Sequence, residues 1–434
     1  MNAPTDESRV SARELTRDPH GVYARLRESS AVCPVSAPGG APAWLVTRYA
    51  DVARALADPR LSLDKRHAAD GYRGFDLPPA LDRNLLNMDG DDHARVRRLA
   101  AQAFTPARAE RLRPAVQRAA DALLDTVERR LAATGGGAPG ITRQGGGEGT
   151  VPAETGEPDL ADPTVTDLVA TYAAPLPTVV ICEILGVPEG DRPDFRRWTE
   201  AMVAPDPTNP DGIKQAVGGL WAYFGQLIAA KRAAPGDDLL SDLIAAHEAA
   251  DHLTGDELTS LAFLLLTAGF ENTALLIANA VLTLLTHPDQ LALLLEQPDL
   301  IPGAVDELAR FEGPAPVAIR RFATEDCTIG DVTVPKGGTV LVSLASANRD
   351  PEHFTDPDTL DVRRADSSHL ALGRGPHYCL GAPLARVETE TALAALLRRF
   401  PRLALAAPAD AMPWRDSMRS RGLKRLPVRL VPAP

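Results

Sequence analysis

Apolar residues recur at three- and four-residue spacing through most of this chain, a period that predicts helices. "SARELTRDPHGVYARLRESS", "DVARALADP", "HARVRRLAAQAF" and "PARAERLRPAVQRAADALLDTVERRLAAT" all carry it. Strand-like stretches are few: "PAWLVTRY", "CTIGDVTVPKGGTVLVSLAS", "RLALA" and "LPVRLVP". The start of the second reads as a hairpin turning at Gly330-Asp331. The pattern therefore predicts a mainly α fold with small β-sheets rather than an alternating βαβ chain. The longest apolar run, residues 258–286, predicts a central helix about 45 Å long at 1.5 Å per residue. Thr254 and Glu257 are spaced as a capping box at its start. His287-Pro288 ends it, because the residue before proline avoids helical backbone. A helix apolar on nearly every side belongs in the interior.

Residues 135–159, "GGGAPGITRQGGGEGTVPAETGEPD", break this pattern with glycine, proline and little to bury. They predict a flexible insert. A domain linker is the competing reading, but the amphipathic helices before it need something to pack on. Residues 1–434 are therefore expected to form one large domain around the insert.

Composition narrows the function. The chain has 434 residues, a net charge of −12 and a calculated pI near 5.3, which argues against a nucleic-acid partner held through phosphates. Cys33, Cys182, Cys327 and Cys379 are far apart, so neither a disulfide framework nor a structural zinc site is expected. The polar N-terminus lacks a signal-peptide core. The 258–287 stretch has membrane length but carries Glu271 and Asn272 at its middle, where lipid would penalise a carboxylate by roughly 3 kcal/mol. The expected location is the cytoplasm, with no membrane partner.

Three segments carry candidate chemistry. In "AGFENT", residues 268–273, Ala268 and Gly269 leave room for a flat ligand, while Glu271 and Asn272 bring polar groups into a dry helix. A salt-bridged core glutamate competes there with a proton-handling site. In "PGAVDELARFEGP", residues 302–314, Glu307 and Arg310 share a helix face, and Gly313 reads as a left-handed stop. In "HLALGRGPHYCLGAPLAR", residues 369–386, Cys379 sits on a glycine-rich turn before a helix. That cysteine could be an inert buried thiol, a nucleophile at a helix N-terminus, or a thiolate ligand to haem iron.

Taken together, "DDHARVRR", "AGFENT", "ELAR" and "LGRGPHYCLG" occur in the order and spacing of the cytochrome P-450 monooxygenases. The chain resembles the soluble bacterial branch of that family, particularly members that tailor polyketides and macrolides. The resemblance runs from about Glu14 to Leu430, apart from the insert. It implies haem b (iron protoporphyrin IX) with Cys379 as the iron ligand. Gly373, Gly375 and Gly381 would let the loop pass close to the porphyrin. His93, Arg97, Arg321 and His377 match positions that hold the haem propionates. Glu307, Arg310 and Arg364 match a structural triad behind the cysteine loop, and Glu271 belongs to the proton-delivery path.

Two departures stand out. Asn272 occupies the place where most relatives have threonine, and an amide can hold a water or an oxygen but does not relay a proton as a hydroxyl does. Leu372 replaces the usual phenylalanine before the first loop glycine. Substrate walls are expected from residues 65–86, 195–225 and 316–319 and from the turn at Ser417-Met418. They include Leu85, Leu86, Met202, Val203, Val317, Ala318 and Met418, with Ala268 on the central helix. These suit a mid-sized apolar molecule.

No flavin or nicotinamide fingerprint is present, so a ferredoxin and its reductase are the expected electron donors. They would dock on a basic patch formed by Arg374, Arg386 and the "HARVRR" helix. A peroxide-using peroxygenase and a non-catalytic haem-binding sensor are the alternative readings.

Overall fold

The computed structural model describes residues 10–37, 40–69, 71–72, 79–82, 84–102, 104–133, 162, 164–203, 209, 211–248 and 254–431. The expected insert, residues 135–159, lies outside the described residues. So do positions 70, 73–78 and 83 of the 65–86 wall, positions 204–208 and 210 of the 195–225 wall, and the side chain of Val203.

The protein is mainly helical with small sheets, and a long central helix, Gly255–Thr286, forms its axis. Its start is the capping box expected from sequence: Thr254 Oγ1 accepts from the Glu257 amide at 3.1 Å, and Glu257 Oε2 accepts from the Thr254 amide at 2.8 Å. His287 caps its end, directly before Pro288. The helix packs against Pro79–Asp82, Pro175–Ile184, Gly212–Ala233, Ile301–Glu312 and Ala382–Arg399. Its length and hydropathy would suit a membrane span, but 72% of its most apolar window is buried inside the protein. Leu258, Leu266, Ile277 and Leu284 are nearly inaccessible and join a core that also takes in Val116, Leu176, Phe224 and Leu396.

The stretch 11–30, read as helical from its apolar spacing, forms two helices, Ala12–Arg17 and Pro19–Ser29. Asp18 breaks them because it precedes Pro19, and its carboxylate then accepts from the Gly21 amide at 3.1 Å. Gly313 also departs from expectation. Its φ of −65° is extended rather than left-handed, and glycine is needed for another reason: a Cβ there would stand 2.5 Å from the Ala309 carbonyl oxygen.

The main sheet runs in the order Val32–Ser36, Pro42–Val46, Thr339–Val342, Arg321–Ala323, Leu61–Ser62. Pro42–Val46 and Thr339–Val342 pair in parallel, with Trp44 opposite Val340, and the other neighbours are antiparallel. The hairpin Cys327–Ile329 and Val332–Val334 turns at Gly330-Asp331 as predicted. Val165–Asp167, Pro427–Arg429 and Ala404–Leu405 form a third sheet. Four of these strands fall outside the stretches predicted from sequence: Leu61–Ser62, Val165–Asp167 and Arg321–Ala323, each only two or three residues long, and Val32–Ser36, which Pro34 interrupts. Proline is tolerated there because the strand lies at the sheet edge.

Candidate functional site

The loop before helix Ala382–Arg399 is folded tightly on itself. The Cys379 amide donates to the Leu372 carbonyl at 2.8 Å, and the Tyr378 amide donates to that of Gly375 at 3.0 Å. Gly373 and Gly375 both have φ of +74°, a conformation that only glycine adopts without strain. A Cβ on Gly375 would also press Ala57 Cβ at 3.1 Å, whereas one on Gly381 would meet nothing within 4 Å. The turn thus brings Cys379 to the wall of a cavity of about 1610 Å³. Burial pushes its thiol pKa up, opposed by the Gly381 amide and by Arg97 and Arg386. A metal cation at the sulfur would favour the thiolate.

Basic groups gather at one side of this cavity. Arg97 and His377 border it, and Arg97 donates to the Tyr378 carbonyl at 2.5 Å. Arg321 also borders it and is 2% exposed; among the described residues its hydrogen-bond acceptors are the carbonyls of Ile319 (3.2 Å) and Leu56 (3.3 Å). Burial lowers its pKa to about 10, so it remains a cation at neutral pH. A buried guanidinium with only carbonyl partners suits an anionic guest. His93 does not border the cavity but packs tilted against His377, with ring centroids 4.0 Å apart and planes at 40°. Burial, then His377 and Arg97, lower its pKa to about 4, and among the described residues its Nε2 has no hydrogen-bond partner.

Sequence reasoning missed Asp89, which meets His377 Nε2 at 2.9 Å and accepts from Ser62 Oγ (2.7 Å) and the Leu63 amide (2.6 Å). Burial alone would raise its pKa, but those hydrogen bonds together hold it well below the usual carboxylate range. An aspartate at the entry of a helix is too common a signal to have revealed that contact.

The central helix lines the same cavity. Ala268 and Asn272, four residues apart, share a side open to the cavity. Gly269 contributes less room than expected, since a Cβ there would touch Ile181 at 3.4 Å. Thr273 Oγ1 is tied to the Gly269 carbonyl at 3.1 Å. Glu271 borders the cavity and is ion-paired with Arg415 at 2.8 Å, a partner that sequence reasoning did not supply. Leu85, Leu86, Met202, Val317, Ala318 and Met418 all line the same cavity.

Glu307, Arg310 and Arg364 come together behind the cysteine loop. Arg310 holds both Glu307 oxygens at 2.6 and 2.8 Å, and Arg364 Nε reaches Glu307 at 3.1 Å. Arg310 also donates to the carbonyls of Asn348, Pro357 and Thr359. Asn348 in turn accepts from the Leu370 amide at 2.7 Å, and the Leu370 carbonyl accepts from Gly373 at 2.8 Å. The network therefore connects to the loop that carries Cys379.

These residues fit haem b: a cysteine sulfur at the cavity wall, cations that could take its two carboxylates, and a small residue on the central helix at the same cavity. Not all of the expected basic patch is free for a partner. Arg386 pairs with Asp306 at 2.8 Å and Arg95 pairs with Glu257 at 2.6 Å, while Arg374 is exposed.

Comparison with known proteins gives a consistent result. The cytochrome P-450 family profile matches residues 229–413. The vitamin D(3) 25-hydroxylase of Pseudonocardia autotrophica is 40% identical over 429 residues, covering 99% of this chain and 98% of that protein. The mycinamicin IV hydroxylase/epoxidase of Micromonospora griseorubida is 40% identical over 410 residues, covering 94% of each. The solved structure of the ligand-free P-450 monooxygenase TamI superposes with a TM-score of 0.83 at 40% identity, covering 98% of this chain and 95% of that one.

Proposed function

This chain belongs to the cytochrome P-450 family, and we propose that it hydroxylates or epoxidises a mid-sized, largely apolar polyketide or macrolide. It is a haem-thiolate monooxygenase. The observation that carries the substrate reading is the cavity of about 1610 Å³, which runs from Cys379 past Ala268 to apolar walls at Leu85, Val317 and Met418. The similarity to a mycinamicin hydroxylase supports the same class.

Bound haem supplies the activation of O₂ and the transfer of one oxygen atom to substrate. Cys379 would hold the iron as thiolate, with the Gly381 amide tempering its charge. Arg97, Arg321 and His377 would hold the propionates, the first two as cations. Ala268 leaves the cavity open at the central helix. Glu271 would pass protons through water to the cavity.

Asn272 takes the orienting role. Its amide can hold an oxygen or a water by hydrogen bonds, and Thr273 cannot stand in for a missing hydroxyl because it is bonded to Gly269. Asn272→Thr should therefore change both product formed per nicotinamide oxidised and hydrogen peroxide released. If neither moves, Asn272 has no such role.

Electrons would come from a ferredoxin and its reductase, docking near the exposed Arg374. Purified holoprotein with a [2Fe–2S] ferredoxin, its reductase and NAD(P)H should oxidise at least one macrolactone from a panel that also contains steroids and terpenoids. Raising salt should slow the ferredoxin-dependent step. Turnover confined to steroids or terpenoids removes the substrate class, and a salt-insensitive rate removes the docking site.

A further inference from the structure

Glu271, Leu275 and Asn279 are spaced four residues apart and so form a stripe along one face of the central helix. Each touches the same C-terminal hairpin. Glu271 meets Arg415 at 2.8 Å; a Cβ on Gly422 would stand 2.4 Å from Leu275, so the backbone lies directly on that side chain; and Asn279 Nδ2 donates to the Arg421 carbonyl at 3.0 Å. The hairpin is itself braced. Trp414 bridges Leu423, the Arg415 amide donates to the Gly422 carbonyl at 2.9 Å, and the Arg421 guanidinium lies 3.4 Å over the Trp414 ring while pairing with Glu312 at 3.0 Å. Its tip, Asp416 to Ser420, forms part of the cavity wall.

We propose that Arg415 is the positioning residue for Glu271, and that the hairpin fixes this acid and the substrate wall in a single register. The inference rests on Glu271 acting as the proton relay. The ion pair is only partly buried, with side chains 21% and 22% exposed, so its contribution to stability is small. Its geometric effect is larger. Arg415 occupies Glu271 Oε1 and holds a flexible side chain in one orientation, leaving Oε2 to exchange a proton with water at the cavity edge.

The test uses holoprotein with a substrate found in the panel above. Arg415→Met should lower product per nicotinamide by about tenfold, less than the roughly 10²–10⁴-fold that a positioned acid–base group itself contributes because Glu271 is still present, raise peroxide release, and enlarge the solvent deuterium isotope effect. The substrate dissociation constant from the difference spectrum and the ferrous–carbonyl band should stay as in the parent, which separates positioning from general damage. Arg415→Lys should recover most of the coupling. Glu271→Gln combined with Arg415→Met should be no worse than Glu271→Gln alone, because both act through one group. If Glu271→Gln impairs coupling and Arg415→Met does not, or if the two losses add, the proposal is overturned. If Glu271→Gln is itself without effect, the relay reading fails first.

Discussion

Cys379→Ser should lose the red-displaced Soret band of the ferrous–carbonyl complex, and product formation should fall by more than about 100-fold. That is the upper end of what losing a hydrogen-bond partner of a metal ligand costs, and on the proposed role of Cys379 the ligand itself would be lost. Serine fits the space, and its amide can still donate to Leu372 as Cys379 does now, so the loop should fold. On the proposed ligation, what changes is the donor atom: a neutral hydroxyl would replace the polarisable thiolate that a haem iron would receive from Cys379. Haem content, the carbonyl spectrum and product yield measured on one preparation decide the matter. A variant that keeps the displaced band would show that Cys379 is not the ligand.

The second large effect is expected far from any reacting atom. Arg310→Met should destabilise the protein by about 3–5 kcal/mol, because it leaves a carboxylate buried with half of its compensation gone. Arg310 and Glu307 side chains are 1% and 2% exposed. The same substitution also strips donors from the carbonyls of Asn348, Pro357 and Thr359. Arg364→Met should cost less, since that side chain is 12% exposed and Glu307 would keep Arg310. Urea unfolding of both variants, with haem content recorded alongside, gives the comparison. A loss below about 0.5 kcal/mol for Arg310→Met, within the range of an ordinary surface change, would mean the network is not a brace.

Much of this arrangement was legible in the sequence, for identifiable reasons. The central helix announced itself through a long apolar run, interrupted at Glu271-Asn272, between a capping box and a proline. The cysteine loop did so through glycines, two of which adopt positive φ. Contacts between distant segments were not legible. Arg415 lies 144 residues from Glu271 and Asp89 lies 288 from His377, and no local period encodes either pairing. Short strands such as Leu61–Ser62 were missed because two residues cannot display an alternation. Gly313 was read as a left-handed stop from its position alone, but the reason for glycine is the nearby Ala309 oxygen, which only the fold reveals.

The parallel pairing of Trp44 with Val340 has a consequence for biosynthesis. As the nascent chain leaves the ribosome, the strand Pro42–Val46 must wait for a partner encoded about 300 residues later, on the order of 15–60 s at typical translation speeds. During that interval its open edge is a template for pairing with other chains. Completion of this sheet is therefore a late, post-emergence event, and molecular chaperones have a defined segment to shield until then.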